Sequence, residues 1–114
     1  MKDDSVYLKH ILECIERITD DIHEGHDFFL ASRLHQDAVL RNLQTLSESA
    51  QRLSPNLKAR HPEIQWSRIA AFRNILAHYY LGIDMERIWE IVHRDVEELK
   101  VAVTELLRGV TGKS

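Results

Sequence analysis

The sequence predicts an all-α fold, an up-down four-helix bundle with a short extra helical turn. Apolar residues recur at intervals of three and four along most of the chain, the period of a half-buried helix. No segment alternates as a strand would. Four glycines and two prolines in 114 residues leave few places to break regular structure. Short connections favour antiparallel neighbours, hence a bundle.

Each element follows from its own spacing. Leu8, Ile11, Leu12, Ile15, Ile18 and Ile22 define a first helix over about 4–24, stopping near Gly25, with Cys14 on the packed side. His26 to His35 is a connection, but Phe28, Phe29 and Leu30 are too apolar for free solvent, so a short helical piece is expected there. Val39, Leu43, Leu46, Ala50 and Leu53 follow a 4-3-4-3 seam in a second long helix over about 36–53. Ser54-Pro55 reads as an N-cap with proline at the first helical position, opening a short turn that breaks again at Pro62. Ile69, Phe72, Ile75 and Leu76 give a third helix over about 66–79, ended by Gly82 in a left-handed conformation. Asp84 caps a fourth helix over about 85–108, whose seam is Ile88, Val92, Val96, Leu99, Val103 and Leu106.

One domain is expected over residues 1–114, long enough for one core without disulfide or metal. The lone Cys14 suits a reducing compartment. The opening residues Met1-Lys2-Asp3-Asp4-Ser5 lack a signal-peptide core, and no apolar run approaches the roughly 20 residues of a membrane span. A cytoplasmic protein without membrane contact is expected. Net charge is −3, which disfavours a nonspecific nucleic-acid coat. Residues 33–73 nevertheless hold seven Lys or Arg against three carboxylates, while the rest holds eight against fifteen. A basic middle in an acidic chain suits steering of a polyanion, and equally an ordinary charged helical surface.

Several signals fail. Gly109-Val110-Thr111-Gly112-Lys113-Ser114 has two residues between its glycines where a phosphate loop needs four, and reads as a frayed tail. His23-Glu24-Gly25-His26 spaces its histidines by three across a helix end, unlike a zinc-protease helix, and reads as a solvated turn. His10, His35, His61 and His93 show no ligand spacing, so neither metal nor cofactor is expected. Trp66 and Trp89 read as core or interface anchors.

The strongest chemical signal is Arg73-Asn74-Ile75-Leu76-Ala77-His78-Tyr79-Tyr80. A permanent cation, an imidazole and a phenol within eight residues suit chemistry on a phosphodiester. At about 100° per residue, Asn74 and His78 share a face bordering the buried stripe, and Arg73 can curl toward the same end. The same edge could simply face solvent or a partner subunit, and Tyr80 could be a helix-end cap packed on Trp89.

These residues resemble the Arg-x4-His-x-Tyr motif of the HEPN superfamily, specifically its HepT-like toxins. Asp37-Ala38-Val39-Leu40-Arg41-Asn42-Leu43 followed by Glu48 and Ala50 is similar to that family's second helix. Trp66 ahead of Arg73-Asn74, and Gly82-Ile83-Asp84 leading to Trp89, match as well, so the similarity covers nearly the whole chain. Ser47 stands where glycine is usual, and Tyr79 where aspartate is common.

The resemblance implies the toxin of a type VII toxin–antitoxin pair, a metal-independent endoribonuclease acting on tRNA or mRNA. Arg73 and His78 would be catalytic at a homodimer interface, and Asn74 would orient the phosphate or His78. Tyr80 would accept AMP from an MntA-like nucleotidyltransferase antitoxin. The alternative is a noncatalytic, nucleotide-binding helical partner of a nucleotidyltransferase.

Overall fold

The computed structural model describes residues 3–75, 77, 81, 82 and 84–111, without the side chains of residues 110 and 111. Leu76, His78, Tyr79, Tyr80, Ile83 and the tail 112–114 lie outside the described residues. The chain is all-α, with no strand among the described residues. Its elements are α1 (Asp4–Ile22), α2 (His26–Ala31), α3 (Arg33–Gln51), α4 (Pro55–Arg60), α5 (Trp66–Ala71) with a 3₁₀ turn (Phe72–Asn74), α6 (Met85–Ile91), a π turn (Val92–Val96) and α7 (Glu97–Thr111).

The long helices α1 and α3 pack antiparallel. Asp4 at the start of α1 reaches Ser54 just past the end of α3, and His10 meets Ser49 one to two turns further in. Their facing sides supply Leu8, Ile11, Cys14, Ile15 and Ile18, and Val39, Leu40, Leu43, Leu46 and Ala50, all buried. Helix α7 lies against α1, and α5 with its 3₁₀ turn lies against α3. The buried side chains form one cluster, with Trp66 and Trp89 partly buried on its flank.

Every described seam residue expected in the second, third and fourth helices is buried; in the first, Leu12 and Ile22 are only partly so. Capping follows the sequence closely. Gly25 (φ +104°) and Gly82 (φ +97°) take the left-handed backbone that glycine accepts without a Cβ clash. Ser54 accepts from Leu57 N–H and Asp84 from Glu86 N–H. Two boundaries move. Helix α3 starts at Arg33 rather than about 36, because the Ser32 hydroxyl accepts from His35 N–H and caps it earlier. The last helix continues to Thr111 rather than about 108, since each added residue of an established helix gains a hydrogen bond at little cost.

Neither the third nor the fourth helix is a plain α-helix. Ile69, Phe72 and Ile75 are spaced three and three, which would drift backward about 60° per step at 3.6 residues per turn. Tightening residues 72–74 to a 3₁₀ turn keeps Phe72 and Ile75 in line and buried. Ile88, Val92 and Val96 are spaced four and four, which would drift forward about 80°. The wider π turn absorbs that surplus, so all three stay inside, and Asp95 turns inward with them.

Side-chain ties hold the small elements. Gln36, buried at the start of α3, donates from Nε2 to the carbonyls of Phe29 and Leu30 at 3.0 Å each, pinning α2. Ser47 is fully buried and its hydroxyl donates to the Gln44 carbonyl at 2.9 Å, so the hydroxyl is satisfied within α3. His26 faces a carboxylate at each ring nitrogen, Glu86 on α6 at 2.9 Å and Asp27 at 3.1 Å, and lies edge-on to Trp89. The expected solvated turn at His23–His26 therefore carries a tether across 60 residues of sequence.

Two outcomes test these ties. Asp4 accepts from both Ser54 N–H (2.9 Å) and Ser54 Oγ–H (2.8 Å), joining the start of α1 to the cap of α4. Asp4→Ala is expected to lower unfolding stability by about 1–2 kcal/mol in urea denaturation, the size of a lost charge-assisted pair at a partly exposed site. An unchanged midpoint would refute the tie. Hydrogen bonds to Glu86, then to Asp27, raise the His26 pKa above its ordinary value. A raised folded-state pKa stabilises fully below the unfolded value and loses that contribution as pH climbs through the folded one. The melting-temperature gap between the parent and Glu86→Gln should therefore be present at about pH 6, below the ordinary imidazole value of about 6.5, and close by about pH 9. A gap of equal size at both pH values would contradict it.

Candidate functional site

Arg73 and Asn74 sit side by side on the 3₁₀ turn that continues α5. Phe72 before them and Ile75 after them are buried, and with three residues per turn the two between must face outward. Both are exposed. The polar edge inferred from the sequence is thus produced by the burial of its apolar neighbours.

Arg73 is not left to wander. Its Nη1 donates to Gln51 Oε1 at 2.7 Å, from the last residue of α3. Gln51 is itself half-buried, and its backbone carbonyl lies 3.4 Å from Lys58 Nζ on α4. The anchor is an amide rather than a carboxylate, so it orients the guanidinium without neutralising it. Among the described residues no acid pairs with Arg73, which leaves the remaining N–H groups and the full charge for an incoming anion. Sequence reasoning missed Gln51. Its only local signal is a polar side chain at a helix end, and its partner lies 22 residues away.

His78 and Tyr80, the expected acid–base group and modified phenol, lie outside the described residues, as does Tyr79. Arg73 and Asn74 are brought together by adjacency; nothing further is placed with them. Asn74 makes no side-chain hydrogen bond among the described residues and is free to take a ligand.

Elsewhere the basic middle segment is less uniform than its sequence. Arg68 is drawn into an ion pair with Asp95, Nε to Oδ2 at 3.0 Å. A groove of about 960 Å³ runs between α4–α5 and α7, with Leu57, Ile64, Ile69, Leu99 and Leu106 on its floor and Arg60, Glu98 and Glu105 along its rim; Arg73 does not line it. Among the described residues no group of three His, Cys, Asp or Glu side chains is gathered as a metal site, and no helix is long and apolar enough to cross a membrane.

Comparison with known proteins gives this edge a context. The family described as "Ribonuclease HepT-like" matches residues 8–106. The "Probable ribonuclease HepT" of Thermococcus cleftensis is 36% identical over 82% of this chain and 86% of its own length. A "Putative RNase" of Caldanaerobacter subterraneus is 30% identical over 95% of this chain and 97% of its own. A "Gamma-glutamylcyclotransferase and putative RNase" of Methanocaldococcus jannaschii is 34% identical over 93% of this chain, which spans only 48% of that longer protein. No solved structure matches the chain. With the match running from the second turn of α1 into the last helix, over most of the sequence, the chain belongs to the ribonuclease HepT-like family.

Proposed function

We propose that this protein is a metal-independent endoribonuclease that cuts RNA through Arg73 and His78 at a homodimer interface. The observation that carries the reading is Arg73, exposed, uncompensated by any described acid and held by Gln51, within a chain of the HepT-like ribonuclease family.

The chemistry needs little beyond two imidazoles and a cation. The 2′-hydroxyl of RNA attacks the adjacent phosphorus, forming a 2′,3′-cyclic phosphate as the bond to the 5′-oxygen breaks. One base removes the 2′-hydroxyl proton and one acid returns a proton to the leaving 5′-oxygen. These events fall on opposite sides of the phosphate, so one His78 serves them poorly. A two-fold dimer presents two copies of the same helical edge, and so supplies a base and an acid from one sequence position. Imidazole, with an ordinary pKa of about 6.5, suits both roles. Arg73 holds the nonbridging oxygens and offsets the charge that grows on them. Asn74, beside it and unpartnered among the described residues, orients the phosphate or His78.

The same edge explains how such an enzyme is restrained. In this reading the protein is the toxin of a type VII toxin–antitoxin pair, and an MntA-like nucleotidyltransferase transfers AMP from ATP to Tyr80, releasing pyrophosphate. The added nucleotide carries a phosphate that competes with RNA by charge and by bulk.

Four substitutions test the catalytic half. Arg73→Ala is expected to lower kcat/KM for RNA cleavage by roughly 10²–10³-fold, and His78→Ala by roughly 10²–10⁴-fold, with the dimer retained in light scattering. Both variants cutting at the parental rate in a metal-free assay would sink the assignment. Gln51→Ala, which frees Arg73 but keeps its charge, should cost about 3–10-fold, and Gln51→Glu more, because the new carboxylate competes with phosphate for the guanidinium. Equal rates for Gln51→Glu and the parent would remove Gln51 from the account. The restraint is tested by intact mass and peptide mapping after coexpression with the nucleotidyltransferase: whole AMP units are expected on Tyr80 and none on Tyr80→Phe. Labelling that persists on Tyr80→Phe would move the acceptor elsewhere, Tyr79 first.

A further inference from the structure

A second concentration of positive charge lies away from Arg73. A depression of about 230 Å³ is bounded by Arg68 from α5, Arg87, Glu90 and Ile91 from α6, and Arg94 and Asp95 from the π turn. The three arginines stand differently. Arg68 gives its Nε to Asp95 at 3.0 Å; that carboxylate is only 8% exposed, whereas the Arg68 side chain is 42% exposed. Asp95 thus grips one edge of the guanidinium from inside and leaves the outer edge toward the depression. The side chains of Arg87 and Arg94 are exposed and make no hydrogen bond or ion pair among the described residues. With Asp95 satisfied by Arg68, two uncommitted guanidiniums face the single carboxylate of Glu90. The local surplus is one positive charge, in a space the size of a small anion and its hydration rather than of a helix or a peptide strand.

The helical period builds this arrangement. The π turn that keeps Val92 and Val96 buried also turns Asp95 inward beneath Arg68, and Arg94, its neighbour in the same turn, stays outside. Arg68 and Arg73 belong to one continuous helical stretch, five residues or about 8 Å of rise apart. At about 100° per residue Arg68 projects roughly 140° away from Arg73 around that axis, so a polyanionic strand engaged at Arg73 meets it by passing around the same element.

We infer that Arg68, Arg87 and Arg94 form a second phosphate subsite, holding the backbone of the RNA strand at a point removed from the linkage that is cut. The inference rests on the ribonuclease reading and adds to it the location of a flanking contact. Arginine forks match the nonbridging oxygens of a phosphodiester, and such contacts position a strand without reading its bases. Asp95 is a positioning residue here, fixing Arg68 through the ion pair, and Glu90 limits the site to a single monoanionic group.

The test uses the intact protein and a fluorescently labelled, fully 2′-O-methylated oligouridine, which lacks the attacking hydroxyl and is bound without being cut. Affinity is read by anisotropy across a salt series. Arg87→Ala with Arg94→Ala is expected to weaken binding about tenfold near physiological salt and to flatten the log–log salt slope by about 1.4, two contacts at roughly 0.7 each on a single strand. Arg17→Ala with Lys100→Ala removes the same charge from exposed positions outside the depression and should shift affinity less than twofold. If the Arg87/Arg94 variant binds with parental affinity and slope while the parent binds and cuts RNA, the subsite is refuted and the ribonuclease reading stands. An equal loss in the Arg17/Lys100 variant also refutes it, by showing that only total charge matters. A parent that neither binds nor cuts RNA overturns both proposals together.

Discussion

Burial of Ile69, Phe72 and Ile75 is the constraint on which the rest of the site depends. Each side chain is worth roughly 1.5–3 kcal/mol when taken fully out of water, more than the roughly 0.5–1.5 kcal/mol net worth of a whole hydrogen bond, of which a 3₁₀ turn weakens only part. The backbone therefore yields to the apolar spacing. It tightens by one notch over Phe72–Asn74, and the two polar residues caught between buried neighbours are driven to the surface. Gln51 then has only to restrain a guanidinium whose direction is already decided. Orientation of Arg73 is thus a consequence of core packing, with one side-chain hydrogen bond as refinement.

The last long helix shows the opposite adjustment from the same cause. Where apolar residues fall three and three, the helix narrows; where they fall four and four, at Ile88, Val92 and Val96, it widens. Both departures carry a polar consequence. One exposes Arg73 and Asn74, and the other submerges Asp95 so that it can hold Arg68. The chemistry of the surface is in this sense written into the errors of the helical repeat.

Much of this was legible in the residues, and the part that was not has a common reason. The seams, Ser54 and Asp84 as caps, and Gly25 and Gly82 as stops are local signals, and the structure bears them out. The irregular turns were present in the spacings of Ile69–Ile75 and Ile88–Val96, but a helix of uniform period was the simpler reading. The Ser32 cap lies inside a segment whose composition reads as a connection. Gln51 to Arg73, His26 to Glu86 and Asp4 to Ser54 join residues 22, 60 and 50 positions apart, and no property of one partner names the other. At the candidate site, Arg73 and Asn74 were singled out by residue type and neighbourhood. The roles proposed for His78 and Tyr80 rest on family resemblance, which suggests chemistry that helical periodicity cannot.

Cys14 carries a last consequence. It has no exposed surface, packs in the α1–α3 seam with its sulfur 3.8 Å from His10 Nε2, and burial raises its thiol pKa. A thiol so enclosed is both shielded from alkylating reagents and poor in the reactive thiolate. Its rate of labelling consequently measures how often the two longest helices part, so the protein carries within its own interior a chemical stopwatch for that event.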